Sequence, residues 1–215
     1  MQTTEEKKKK RKPQKLPKVL SKEDVQKLLD SFNCRYPTQL RNRAIVQVFY
    51  RCGLRNSELC NLALDDVKID GPEDGFIYVQ LGKNSRDRFV PLDAETIAWL
   101  QKWEAIRPES DWYFCTLKGG QLSTGYIRDV FERKSKKAGV SIQDGRKKKH
   151  PHPHIMRHTC ATEMLEDGLH IRDVQEILGH KHIQTTGRYL SVRPRALAEK
   201  IKQRGRMRQC QSSTV

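Results

Sequence analysis

Between Thr38 and Gly53 the apolar residues Leu40, Ala44, Ile45, Val48 and Phe49 recur at helical spacing and then stop at a glycine. That spacing draws one apolar stripe along a helix, and such a stripe is stable only when other elements cover it. Gly53 supplies the left-handed residue that ends the helix. A buried core is therefore obligatory, and the rest of the chain supplies its walls. Ser21 caps an earlier helix, with Asp24 three residues on and Val25, Leu28, Leu29 and Phe32 on one face. Ser57 is expected to cap a third helix carrying Leu59 and Leu62. Asp93 caps a fourth with Ile97, Leu100 and Trp103, and Ser123 precedes a fifth with Ile127, Val130 and Phe131. Phe76 to Leu81 and Arg88 to Leu92 flank Gly82-Lys83-Asn84-Ser85, which predicts a hairpin by its turn chemistry. Gly145 to Pro153 is a basic, proline-broken loop. Gly168 and Gly179 punctuate three short helices after it, and a last helix is expected around Arg195 to Gln203. The sum is a mainly α domain with a small antiparallel β-sheet (α+β). A basic disordered tail is expected over 1–17, the domain over 18–204 and a flexible tail over 205–215.

Composition narrows the partner. Hydrophobic residues make up 36% of the 215, and the formal net charge is +16, far beyond what solubility requires. Such an excess concentrates polyanions around a protein, so nucleic acid is the default partner. An acidic membrane surface competes as a reading, but no apolar run approaches a spanning length and no signal-peptide core is present. The basic run Lys7, Lys8, Lys9, Lys10, Arg11 and Lys12 repels itself, resists packing and is a candidate for DNA-backbone contacts. A solubilising or nuclear-localisation role fits the same composition. Cysteines at 34, 52, 60, 115, 160 and 210 contain no CxxC pair, which argues against a structural zinc or a disulfide framework. Cys34, Cys52, Cys60 and Cys160 fall on apolar helical faces, as free thiols in a reducing, intracellular compartment do.

Four places stand out chemically. Arg55 follows the Gly53 helix end, so its guanidinium projects from a rigid corner. Lys83 sits at the tip of the expected hairpin. His154 and Arg157 are three apart at a helix start, on one face. His180 follows Gly179, with Tyr189 further on. Singly, each is more often a solvated cation, a turn filler or a core tyrosine. Composition and spacing alone reach as far as a basic helical DNA-binding domain.

The order and surroundings of these residues add more. Gly-Leu-Arg-Asn-Ser-Glu-Leu (53–59), Gly-Lys-Asn-Ser-Arg-Asp-Arg-Phe-Val-Pro-Leu (82–92), His-Ile-Met-Arg-His-Thr (154–159), Leu-Gly-His (178–180) and Thr-Thr-Gly-Arg-Tyr (185–189) resemble the boxes of tyrosine recombinases, the phage-integrase family. The resemblance spans about residues 18 to 195. It implies the catalytic-domain fold of that family and an active site of Arg55, Lys83, His154, Arg157, His180 and Tyr189.

In that reading Arg55 and Arg157 clamp a DNA phosphate, and His180 donates a further hydrogen bond. Tyr189 is the nucleophile, giving a 3′-phosphotyrosine and a free 5′-hydroxyl. Its phenol ordinarily titrates near a pKa of about 10 and needs help losing its proton, for which His154 is the base. Lys83 is the acid for the departing 5′-oxygen. The bond energy is stored in the protein–DNA link, so the resemblance implies no nucleotide cofactor and no metal. Arg86 and Arg88, beside Lys83, are expected to contact DNA. Glu58 is expected to support the Arg55 corner, and His158 to be a supporting or core residue. His150, His152, His154 and His158 invite a metal reading, but no cysteine or carboxylate completes a familiar ligand spacing.

The implied partner is double-stranded DNA, held by a homo-tetramer that exchanges a C-terminal segment, for which Arg193 to Gln203 is the candidate. Most members carry a helical core-binding domain before the catalytic one, and that half of the clamp is expected to be missing here. Alternatives left open are a type IB topoisomerase-like enzyme, a telomere resolvase, and an inactive DNA-binding regulator.

Overall fold

The structure is a computed structural model and describes residues 18–80, 87–144 and 147–179. Helix α1 (Lys22–Asp30) begins where the Ser21 side chain accepts the Asp24 N–H, and it buries Val25, Leu28 and Leu29. Helix α2 (Pro37–Cys52) has proline in its first turn and ends at Gly53 in the left-handed region. Its stripe of Ala44, Ile45, Val48 and Phe49 is fully buried, and the Phe49 ring meets Phe131 edge-on at 5.7 Å. The remaining elements are arranged around this helix.

Helix α4 (Ala94–Glu104), capped by Asp93, lies against α2, and its buried Trp103 donates its indole N–H to the Tyr113 carbonyl. Helix α5 (Thr124–Ala138) is capped by Ser123 and contributes Ile127, Val130 and Phe131 to the core. Helix α6 (Pro153–Glu166) covers α2 from another side, and α7 (Ile171–Leu178) packs on α6 through Ala161, Leu165, Val174 and Leu178. Arg41 of α2 is buried yet satisfied, donating to the Cys115 carbonyl and the Tyr126 hydroxyl.

A three-stranded antiparallel sheet runs in the order β1 (Val67–Ile69), β2 (Gly75–Val79), β3 (Arg88–Pro91), with Ile77 opposite Val90 and Tyr78 opposite Phe89. Ile77, Val79 and Val90 point into the core, while Phe76, Tyr78 and Phe89 cluster on the outer face. The mainly helical expectation with a small antiparallel sheet holds.

Several local expectations need correction. Strand β1 was not expected; its three residues are too few to show a period. The 145–153 stretch, expected as a loop, includes part of a second sheet, in which β4 (Ile142–Asp144) pairs with β5 (Lys147–Lys149). Helix α3 (Asn56–Cys60) starts ahead of Ser57, and Arg55 rather than Ser57 occupies the cap position. Leu62 is buried beyond the end of that helix. Cys34 is half-buried in the turn after α1 rather than on a helix, whereas Cys52, Cys60 and Cys160 are buried helical thiols. The expected helix at 195–203 and both tails lie outside the described residues. No described helix is long and apolar enough to cross a membrane.

Candidate active site

The site is organised by the corner at Gly53. Its φ is +61°, and a Cβ there would stand 2.5 Å from Leu178 Cδ2 and 3.2 Å from Cys160 Sγ. Glycine is thus required twice, for the left-handed turn and for the close approach of α6 and α7. Two residues on, Arg55 starts α3, and its backbone N–H donates to Glu58 Oε2 at 2.7 Å. The Arg55 guanidinium turns back onto Glu58 Oε1 and reaches the Gly179 carbonyl at 2.7 Å. It remains 35% exposed, so a ligand can reach it.

Arginines converge on the last carbonyls of α7. Arg88 Nε donates to Ile177 O, Arg157 Nη2 to Leu178 O and Arg55 Nη2 to Gly179 O. The carbonyls at a helix C-terminus lack intrahelical partners and carry partial negative charge, so guanidinium donors suit them. Arg157 also donates to the Gly53 carbonyl and is only 3% exposed. It therefore ties the Arg55 corner to the end of α7, directly before position 180.

Arg88 does not meet the expectation of a DNA contact. The β3 residues alternate inward and outward, which sends Phe89 out and Arg88 in. Its side chain is 4% exposed and bonds both oxygens of Glu58, at 3.0 and 2.7 Å. Burial by itself would raise the Glu58 pKa. The Arg88 hydrogen bonds and charge, joined by the Arg55 N–H and guanidinium, outweigh it and bring the carboxyl down to about 2.

His154 lies in the first turn of α6, exposed, with its ring stacked on His158 at 5.9 Å and edge-on to His152 at 6.4 Å. Partial burial, and then the charges of Arg157 and Arg55, lower its pKa below the ordinary 6.5. Both effects favour the neutral ring, the state a proton acceptor requires. Arg55 and His154 line one open groove of about 1030 Å³ together with Arg128, Lys148, Lys149 and His152.

The structure therefore brings Arg55, His154 and Arg157 to one locality. Lys83, Arg86, His180 and Tyr189, like Lys7, Lys8, Lys9, Lys10, Arg11 and Lys12, lie outside the described residues. Sequence reading missed Arg128, Lys148, Lys149 and His152 as groove residues. The lysine run at 147–149 and an arginine one turn after Thr124 were the available signals.

A family model described as the phage integrase family matches residues 18–195. The chain belongs to the phage integrase family. Among curated members it is 37% identical over 184 residues to tyrosine recombinase XerA of Thermococcus kodakarensis, covering 84% of this chain and 60% of that protein. It is also 37% identical over 179 residues to tyrosine recombinase XerC of Proteus mirabilis, covering 81% of this chain and 54% of that one. The chain thus spans little more than half the length of these family members. Among solved structures, the crystal structure of XerA recombinase aligns with a TM-score of 0.73 at 32% identity, over 89% of this chain and 66% of that one. XerH site-specific recombinase, in a post-cleavage complex bound to its palindromic difH substrate, gives 0.71 at 27%, over 87% of this chain and 53% of that one. A lambda integrase dimer on a core site, at 20% identity and 0.63, shares the family's fold.

Proposed function

We propose that this chain cuts and rejoins double-stranded DNA as a site-specific tyrosine recombinase, through a covalent bond to Tyr189. The observation that carries the proposal is the convergence of Arg55 and Arg157 on the carbonyls of Leu178 and Gly179, with His154 lining the same groove as Arg55. Family membership and the DNA-bound XerH relative support it.

The phosphate sits against the exposed Arg55 guanidinium, with His180 donating a hydrogen bond to its oxygens, while the buried Arg157 adds positive charge from behind the Arg55 corner. The Tyr189 oxygen attacks phosphorus as His154 takes the phenolic proton. The bond from phosphorus to the 5′-oxygen breaks, its electron pair leaves with that oxygen, and Lys83 supplies the proton. A 3′-phosphotyrosine and a free 5′-hydroxyl result. Attack by another 5′-hydroxyl reverses the steps and joins new strands. The side-chain cations carry the charge balance, so the reaction runs without metal or nucleotide. A homo-tetramer that passes 193–203 to a neighbouring subunit would bring two duplexes together.

The test uses a supercoiled plasmid bearing two copies of a DNA sequence that co-purifies with the protein. Exchange between the two copies is the expected product. Relaxation without exchange would instead assign the topoisomerase-like chemistry, and binding without either would assign the regulator.

A further inference from the structure

His154 and His158 stand four residues apart on α6, one turn along the same helical face. Their rings lie nearly parallel, 15° apart in plane, with centroids separated by 5.9 Å. His154 is exposed and His158 half-buried, so the outer ring has room to turn while packing confines the inner one. Two histidines at this helical spacing are a recurring way of gripping zinc.

A histidine ligates a metal through a neutral ring. Partial burial, and then Arg157 and Arg55, lower the His154 pKa, so protons compete little for that ring at neutral pH. Both guanidiniums are themselves engaged: Arg55 by Glu58 and the Gly179 carbonyl, Arg157 by the carbonyls of Gly53 and Leu178. An imidazole also has two nitrogens, and a ring engaged through one still offers the other. Among the described residues no set of three or more histidine, cysteine or carboxylate donors that could hold a metal occurs. A two-histidine site therefore keeps open positions for water, unlike a four-ligand structural zinc. Zinc, nickel and copper suit imidazole, whereas magnesium prefers oxygen.

We propose that His154 and His158 form a binding site for a zinc-class divalent cation, which inhibits strand cleavage when bound. The cation takes the lone pair on His154 that would otherwise accept the phenolic proton of Tyr189. The inhibition rests on the reading of His154 as the base of a strand-transfer enzyme, whereas the site rests on α6 alone. The metal is an inhibitor and takes no part in the reaction.

The experiment titrates the full chain with ZnCl2 at neutral pH by isothermal calorimetry. It also follows single-turnover cleavage of a nicked duplex in ZnCl2, in MgCl2 and in EDTA. The parent should bind zinc, and His154→Gln and His158→Gln should each lose that binding. His170→Gln, which changes an exposed histidine at the start of α7, should keep it. Thermal melts check folding, and the exposed position of His154 gives a variant that leaves the core untouched. Saturating zinc should slow the parent roughly 100-fold or more, the usual contribution of a general base, and EDTA should restore the rate. MgCl2 at the same concentration should leave binding and rate unchanged. Zinc binding that persists in both variants, or is absent from the parent, would overturn the site. Cleavage at full rate with zinc bound would overturn the inhibition. A parent that binds zinc through these two histidines yet cleaves nothing in EDTA would overturn the strand-transfer reading and leave the site standing.

Discussion

The buried guanidinium of Arg88 donates to both oxygens of Glu58, at 3.0 and 2.7 Å, while the same carboxylate holds the Arg55 side chain. Glu58 is thus shared between β3 and the Arg55 corner, and Arg88 extends the link to Ile177. Lys83 lies in the segment joining β2 to β3, and His180 directly follows the α7 cap at Gly179, so this ion pair is braced between two segments that carry expected catalytic groups.

Removing one partner of a buried pair leaves the other charge unmatched, at a cost of about 3–5 kcal/mol. Glu58→Gln should lower stability by that order in urea unfolding. Arg88→Lys keeps the charge but not the paired hydrogen bonds, and should slow strand cleavage with little change in DNA affinity. Loss of affinity at an unchanged cleavage rate would return Arg88 to the role of a DNA contact.

The same pair sets an acid limit. A carboxyl lowered from 4.5 to about 2 on folding stabilises the protein fully above the ordinary carboxylate range, and that contribution drains away as pH falls toward 2. The displacement corresponds to roughly 3 kcal/mol. Stability measured from neutral pH downward should therefore fall below about pH 4.5, and Glu58→Gln should show a shallower fall over that window.

His154 gives a kinetic prediction. Its lowered pKa keeps the base form populated at and somewhat below pH 6.5. Single-turnover cleavage should lose rate only on the acid side of that value, and His154→Gln should abolish that limb. An acid limb centred above 6.5 would contradict the role of His154 as base.

Gly53→Ala puts a methyl against Leu178 and forces a non-glycine residue to a φ of +61°. Unfavourable backbone alone costs on the order of 1–3 kcal/mol. Because Arg157 bonds the Gly53 carbonyl, cleavage should fall together with stability.

Much of this was legible beforehand. The helix ending at Gly53 and the caps at Ser21 and Asp93 were readable because periodicity and capping are local. Arg55, His154 and Arg157, which the structure brings to one locality, were singled out because their boxes keep order and wording. Arg88 was taken for a DNA contact because it follows the polar stretch Lys83 to Asp87 along the chain, and only the pleat of β3 turns it inward onto Glu58. The β4–β5 pair escaped notice since short lysine-rich strands carry no apolar alternation. The groove wall was invisible for a different reason: Arg128 and Lys149 meet only through tertiary packing.

The most direct test is a covalent one. The protein is incubated in EDTA with a nicked suicide duplex carrying DNA that co-purifies with it, then run on a denaturing gel. A protein–DNA band that forms with the parent chain and vanishes in Tyr189→Phe is the predicted result. A band that persists in Tyr189→Phe, or no band with the parent chain, would contradict the account.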